Sequence, residues 1–124
     1  MTDVKELLIN TLNTNFKDYP VYLQGSISRD EAYPESFFTF WNNSSNDSGF
    51  YDNSETECIW DFDLNFYSSD PTLVNTVLLT AKSALKAVGF IPDGNGYDVM
   101  SDEATHTGRG INLLFIQNYL ESEV

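Results

Sequence analysis

Thr56-Glu57-Cys58-Ile59-Trp60-Asp61-Phe62-Asp63-Leu64-Asn65-Phe66-Tyr67 alternates almost perfectly. Cys58, Trp60, Phe62, Leu64 and Phe66 fall at alternate positions, with Glu57, Ile59, Asp61, Asp63, Asn65 and Tyr67 between them. Side chains of an extended strand point alternately to two faces. The pattern therefore predicts a strand with one face on a core and the other mostly in water. On a helix the same residues would be scattered all round. Aromatic and β-branched residues also favour strands. Burying one large apolar side chain contributes about 1.5–3 kcal/mol, so an unbroken apolar face puts this strand at the centre of the core. Cys58 lies on that face and reads as a small buried hydrophobe rather than a nucleophile. As the sole cysteine it excludes an internal disulfide and a multi-cysteine zinc site.

Upstream of this strand, Asp3 to Asn15 reads as a helix. Val4, Leu7, Leu8, Thr11 and Leu12 recur at helical spacing. Thr2 or Asp3 can cap it, Glu6 follows Asp3 at capping-box spacing, and Pro20 stops the chain from continuing as helix. Val21 to Ser28 reads as a first strand and Ser36 to Asn43 as a second. In the second, Phe38 and Phe40 share one face and Phe37, Thr39 and Trp41 the other, which predicts cover on both sides. Asn42 to Glu55 is polar and reads as a long hairpin loop, of the kind that tends to be functional or mobile. Its acids do not alternate as a calcium-binding EF-hand loop requires, and no helices flank it, so no metal is expected there. Phe50 and Tyr51 in the middle of the loop suit docking onto a partner. With Asp47 and Asp52 beside them and Trp41 on the second strand, they are the candidate interface residues.

Downstream, Thr72 to Val88 is the clearest helix. Leu73, Val74, Val77, Leu78, Ala81, Ala84, Leu85 and Val88 make one apolar face, Asp70 caps it, Pro71 opens it and Gly89 follows its end. Pro92 to Gly96 reads as a turn, Tyr97 to Met100 as a short strand and Ser101 to Gly110 as a polar connection. Ile111 to Gln117 is nearly continuously apolar, as expected of a central strand covered on both faces. The order α-β-β-β-α-β-β predicts one α+β domain over residues 1–124: a single mixed or antiparallel sheet of about five strands with two helices on one face.

The 124 residues suit one core, and 41% hydrophobic and 15% aromatic residues exclude a disordered tail. No apolar run approaches the roughly 20 residues that cross a bilayer. The beginning of the sequence lacks the basic-then-apolar layout of a signal peptide, so the expectation is a cytoplasmic product with no membrane association. The formal net charge is −13, and ten acids but no Lys or Arg lie between Arg29 and Lys82. Such a surface repels phosphate backbones and anionic lipid. It fits a protein that avoids DNA, one that mimics DNA, or simply a solvated acidic face.

Catalytic patterns are sparse. His106 is the sole histidine, so any Ser–His or Cys–His pair would have to include it, and no nucleophile-elbow motif surrounds a serine. It reads as a hairpin residue. Asp61 and Asp63 share one strand face, the type of pair that serves glycosidases and metal sites; the plainer reading is two solvated carboxylates. Gly94-Asn95-Gly96 precedes a strand rather than a helix and lacks the setting for phosphate binding. The expectation is a protein that is not an enzyme and has no cofactor.

Taken in order, the chain resembles the tail terminator (tail completion) proteins of long, non-contractile tailed bacteriophages. The resemblance is carried by the helix around Val4-Lys5-Glu6-Leu7-Leu8 and the aromatic strands Phe37-Phe38-Thr39-Phe40-Trp41 and Ile59 to Tyr67. It continues through the helix opened by Ser69-Asp70-Pro71-Thr72-Leu73 and the hairpin Gly108-Arg109-Gly110-Ile111. Head-completion adaptors and minor tail components are compatible with the same pattern. The resemblance implies a virion tail protein, assembled in the host bacterial cytoplasm as a hexameric ring. The ring caps the tail tube, ends its polymerisation and meets the head-completion connector. Its implied partners are other copies of itself, the tail-tube protein and that connector, and DNA passes through its lumen without specific binding. The alternative is a soluble acidic protein-binding module, an immunity protein or a DNA mimic.

Overall fold

The structure, a computed structural model, describes residues 3–23, 34–51, 54–101 and 104–118, except for the side chains of 48–51 and 54–56. Its elements run α1 (Val4–Asn15), β1 (Val21–Leu23), β2 (Ser36–Tyr51), β3 (Ser54–Ser68), α2 (Pro71–Ala87), β4 (Ile91–Val99) and β5 (Thr107–Asn118). The strands form one sheet in the order β1-β2-β3-β5-β4. β1 lies parallel to β2, and every other pairing is antiparallel. This is the α+β architecture with the element order that the sequence predicts.

β3 is the middle strand, and its alternation is realised. Phe62, Leu64 and Phe66 are fully buried and Cys58 nearly so, whereas Trp60 is only half-buried at the edge of the core. Register places Phe38 opposite Phe66 and Phe40 opposite Leu64 on β2, and Leu113 opposite Phe62 and Ile111 opposite Leu64 on β5. These side chains make one apolar layer. Val4, Leu8 and Leu12 of α1 and Val74, Val77, Leu78, Ala81 and Leu85 of α2 cover it. Phe16 and Tyr19, in the turn after α1, close one end by packing on Phe38 and Phe66.

Both helices start at an aspartate whose side chain accepts from a first-turn backbone N–H, and both end on backbone hydrogen bonds. Asp3 accepts from the Glu6 backbone N–H at 3.2 Å. Asp70 accepts from both the N–H and the hydroxyl of Thr72, and these bonds hold its carboxyl below the ordinary value. At the end of α2 the Phe90 N–H bonds the Leu85 carbonyl and the Gly89 N–H that of Lys86, a Schellman arrangement with Gly89 at φ 111°. It turns Phe90 back into the core, against Phe62 and Phe115.

The structure corrects several expectations. Asn42–Glu55 is not a long loop. β2 continues to Tyr51 and β3 begins at Ser54, with pairs from Ser44↔Asp61 to Tyr51↔Ser54 and a bulge between Asn42 and Ser44. Ladder hydrogen bonds satisfy this backbone despite its Asn and Ser content. Pro92–Gly96 is not a turn between elements but an irregularity inside β4, which runs from Ile91 to Val99 and includes Gly94 and Gly96 at positive φ. Two cations secure it. Lys82 donates to the Gly94 carbonyl and the Asn95 side chain, and Arg109 to the Asn95 carbonyl. The polar connection ends earlier than expected, because β5 already begins at Thr107. β5 is not covered on both faces, since Ile116 on its far face is 47% exposed. Of the expected strand Val21–Ser28, only Val21–Leu23 lies within the described residues.

Candidate functional site: the uncovered face of the sheet

α1 and α2 both pack on one face of the sheet, and among the described residues no helix lies on the other. Register orders the uncovered face into rows across β2, β3, β5 and β4. One row is Trp41, Asp63, Asn112 and Asp93, and the next is Ser44, Asp61, Leu114 and Ile91. A third holds Asn46, Ile59 and Ile116. Trp41, Ile91, Ile116 and Tyr97 are each more than two-fifths exposed. The surface is therefore apolar at its margins with a carboxylate pair in the middle.

That pair is fixed in place. Asn112 Nδ2 donates to Asp61 Oδ1 at 2.6 Å and to Asp63 Oδ1 at 3.2 Å, and it also lies 3.2 Å from the Phe62 carbonyl oxygen between them. Asn43, on the bulge of β2, donates to the same Asp61 oxygen. One amide thus ties together two carboxylates that stand two residues apart on the strand, a separation of roughly 7 Å along the chain. Tyr97 completes the group. Burial pushes its phenol above the ordinary value, and the negative charges of Asp63 and Asp61 add to the rise. Gly110, next to it on β5, leaves the space that the Tyr97 ring, Asn65 and Val99 fill; a Cβ there would lie 3.0 Å from Tyr97.

The other end of the same face is closed by aromatic rings. Phe37 is buried, stacked on Tyr67 at 5.3 Å and packed on Tyr22 and His106. His106 Nε2 donates to the Pro34 carbonyl at 2.8 Å and Nδ1 lies 2.9 Å from the Thr105 hydroxyl, so the ring pins the start of β5 to residue 34. Beside it a cleft of about 730 Å³ opens between Pro71, Val74 and Asn75 of α2 and Met100 and Arg109. The Arg109 guanidinium is paired there with Asp98 at 2.9 Å.

The charges are segregated. Lys5 is on α1, Lys17 in the turn after it, and Lys82 and Lys86 on α2. Arg109 lies opposite Phe66, on the helix side of β5. None of the described basic residues belongs to the uncovered face, which carries Glu57, Asp61, Asp63 and Asp93.

Of the candidate interface residues, Trp41 lies on the uncovered face and is 48% exposed. Asp47 is exposed on β2, opposite Cys58 and thus one position out of phase with that face. Phe50 and Tyr51 pair through their backbones with Glu55 and Ser54, while their side chains, and Asp52 altogether, lie outside the described residues. Sequence reading missed Asn112, Leu114, Ile116, Ile91 and Tyr97. Their signal was present as alternation along β5, with Asn112, Leu114 and Ile116 out of phase with Ile111, Leu113 and Phe115. Apolar residues in both phases hid it. A comparison with models of known protein families finds no match, and neither does a comparison with curated proteins.

Proposed function

We propose that the protein is a structural component of a long, non-contractile phage tail: a tail terminator whose copies form a ring on the end of the tube, stop its growth and meet the head. The observation that carries this reading is the element order α-β-β-β-α-β-β, which the resemblance rests on and the fold adopts. The long β2–β3 hairpin supports it further. On its outer side β2 pairs with β1 only over Phe38–Phe40, so among the described residues the strand is an open edge from Trp41 onward, a template for pairing with a neighbouring chain. Copies carrying −13 each repel one another, so self-association should strengthen with salt. The test is sedimentation velocity over a wide concentration range at low and high salt, followed by electron microscopy with purified tail-tube protein. A salt-strengthened ring that caps tubes is the expected result. A protein that stays monomeric throughout and leaves tubes uncapped would sink the reading.

A second reading, a soluble acidic protein-binding module, is favoured by the segregation of every described cation away from the uncovered face. It predicts a monomer under all of these conditions.

A further inference from the structure

We infer that the uncovered sheet face is the docking surface for a protein partner whose contact surface carries arginine among apolar side chains, with the Asp61–Asp63 pair seating one guanidinium between Trp41 and Tyr97. The inference depends on the face and not on the tail reading.

Three observations carry it. The first is charge: among the described residues this face holds four carboxylates, Glu57, Asp61, Asp63 and Asp93, and no Lys or Arg, while the described Lys and Arg residues lie on the helix side or in the turn after α1. A complementary partner is basic. A second copy laid face to face would oppose the same carboxylates, and nucleic acid or anionic lipid would be repelled. The second is order. Asn112 and Asn43 already hold Asp61, and Asn112 holds Asp63, so little side-chain freedom remains to be lost on binding. The third is the company the pair keeps. Trp41 is the cross-strand neighbour of Asp63, and Tyr97 stands on β4 opposite Gly110, one row from Asn112 and Asp63 on the same face. A planar guanidinium can bridge carboxylate oxygens and also lie against aromatic rings, which a lysine ammonium does less well. Ile59, Leu114, Ile116 and Ile91 then supply the apolar contact around the charged centre, the composition of an interface with an arginine anchor.

The experiment titrates the full chain with an end-blocked amphipathic peptide of two heptads made of Leu and Arg, and with its Leu/Lys and Leu/Glu counterparts. Calorimetry gives the affinities and amide chemical-shift mapping gives the site. The Arg peptide should bind more tightly than the Lys peptide and the Glu peptide not at all, with shifts centred on Asp61, Asp63, Asn112 and Leu114. Asp61→Asn with Asp63→Asn should weaken binding at least about tenfold, as loss of an interface anchor does. The charge-matched control Glu6→Gln with Asp18→Asn, on exposed positions of the helix layer, should change it by less than about twofold, as expected for screened surface charge. Trp41→Ala, at an exposed side chain, reads the same face should the carboxylate variant fold poorly, and it too should weaken binding. Equal weakening by the two double variants, shifts centred on α1 and α2, or equal affinity for the Arg and Lys peptides would each overturn the inference. Because association with the peptide should weaken with salt whereas ring formation should strengthen, failure of one is distinguishable from failure of the other.

Discussion

Phe62→Ala is the substitution that tests the register on which both faces depend. Phe62 is 0% exposed at the middle of the central strand, stacked on Trp60 at 6.0 Å, edge-on to Phe90 at 6.2 Å and opposite Leu113. Truncation removes a whole ring and leaves a cavity between two helices and the sheet, a loss of about 3–5 kcal/mol. Against a total stability of about 5–15 kcal/mol for a domain of this size, that is a large share. With a urea slope of about 1–3 kcal/mol/M, the unfolding midpoint should fall by roughly 2 M. Trp41 is of similar size and sits on the neighbouring strand, but it points to the other face and is 48% exposed. Trp41→Ala should cost about 1 kcal/mol or less, near the range of surface substitutions. Urea unfolding followed by circular dichroism measures both. If the two cost the same, or Trp41→Ala costs more, the strands are out of the register described here and the uncovered face does not exist as drawn.

Two further outcomes follow from β4. Gly94 and Gly96 both have positive φ, 70° and 96°, but a Cβ at Gly94 meets nothing, whereas one at Gly96 would lie 2.8 Å from the Gly110 carbonyl oxygen. Gly94→Ala should therefore cost about 1 kcal/mol and Gly96→Ala more, up to about 3 kcal/mol, by thermal unfolding; the reverse order would refute the backbone described for β4. Tyr97 gives the pH-dependent outcome. Its phenol is raised in the folded chain, so the folded state holds the proton more tightly than the unfolded state does. The resulting stability is full below the ordinary tyrosine value of about 10 and is lost as pH rises through the folded value. Asp61→Asn with Asp63→Asn should lower the Tyr97 titration toward the ordinary value, read by ultraviolet absorbance against a Tyr97→Phe reference. No change would mean that burial alone sets it.

What the sequence made legible is what period two and period 3.6 encode. β3 and α2 were readable because one face of each is almost purely apolar, and their ends carry Asp70, Pro71 and Gly89. The far half of β2 was not readable. Asn42 to Ser48 has the composition of a loop, and its strand conformation comes from ladder hydrogen bonds to β3, the other arm of the hairpin, whose pairing overrides local preference. β4 was misread for a related reason. Pro92, Gly94 and Gly96 signal a turn, but an edge strand tolerates a proline, and Lys82 and Arg109 hold the irregularity in place from other elements. The carboxylate pair was visible as Asp-x-Asp. What makes it a site, Asn112 bridging it from β5 and Tyr97 standing in the next row on β4, needs the strand order β3-β5-β4, which no local pattern specifies.

The two faces of β3 are mechanically one object. Asp61 and Asp63 flank Phe62, and Leu64 follows, so the backbone that carries the two carboxylates can shift only if Phe62 and Leu64 leave their seats among Leu113, Ile111 and α2. Close packing makes such displacement costly. The uncovered face is therefore preorganised by the core beneath it as well as by Asn112, the arrangement that lets a site hold its geometry before a partner arrives. The reverse coupling is weak. Neutralising a carboxylate removes hydrogen bonds at the surface of the sheet but no apolar burial. The exposed side chains of this face, such as Trp41 and Ile116, can thus change without disturbing the fold, whereas the fold cannot shift without disturbing the face. A surface with that asymmetry is free to match its chemistry to a partner while the α-β-β-β-α-β-β frame stays the same.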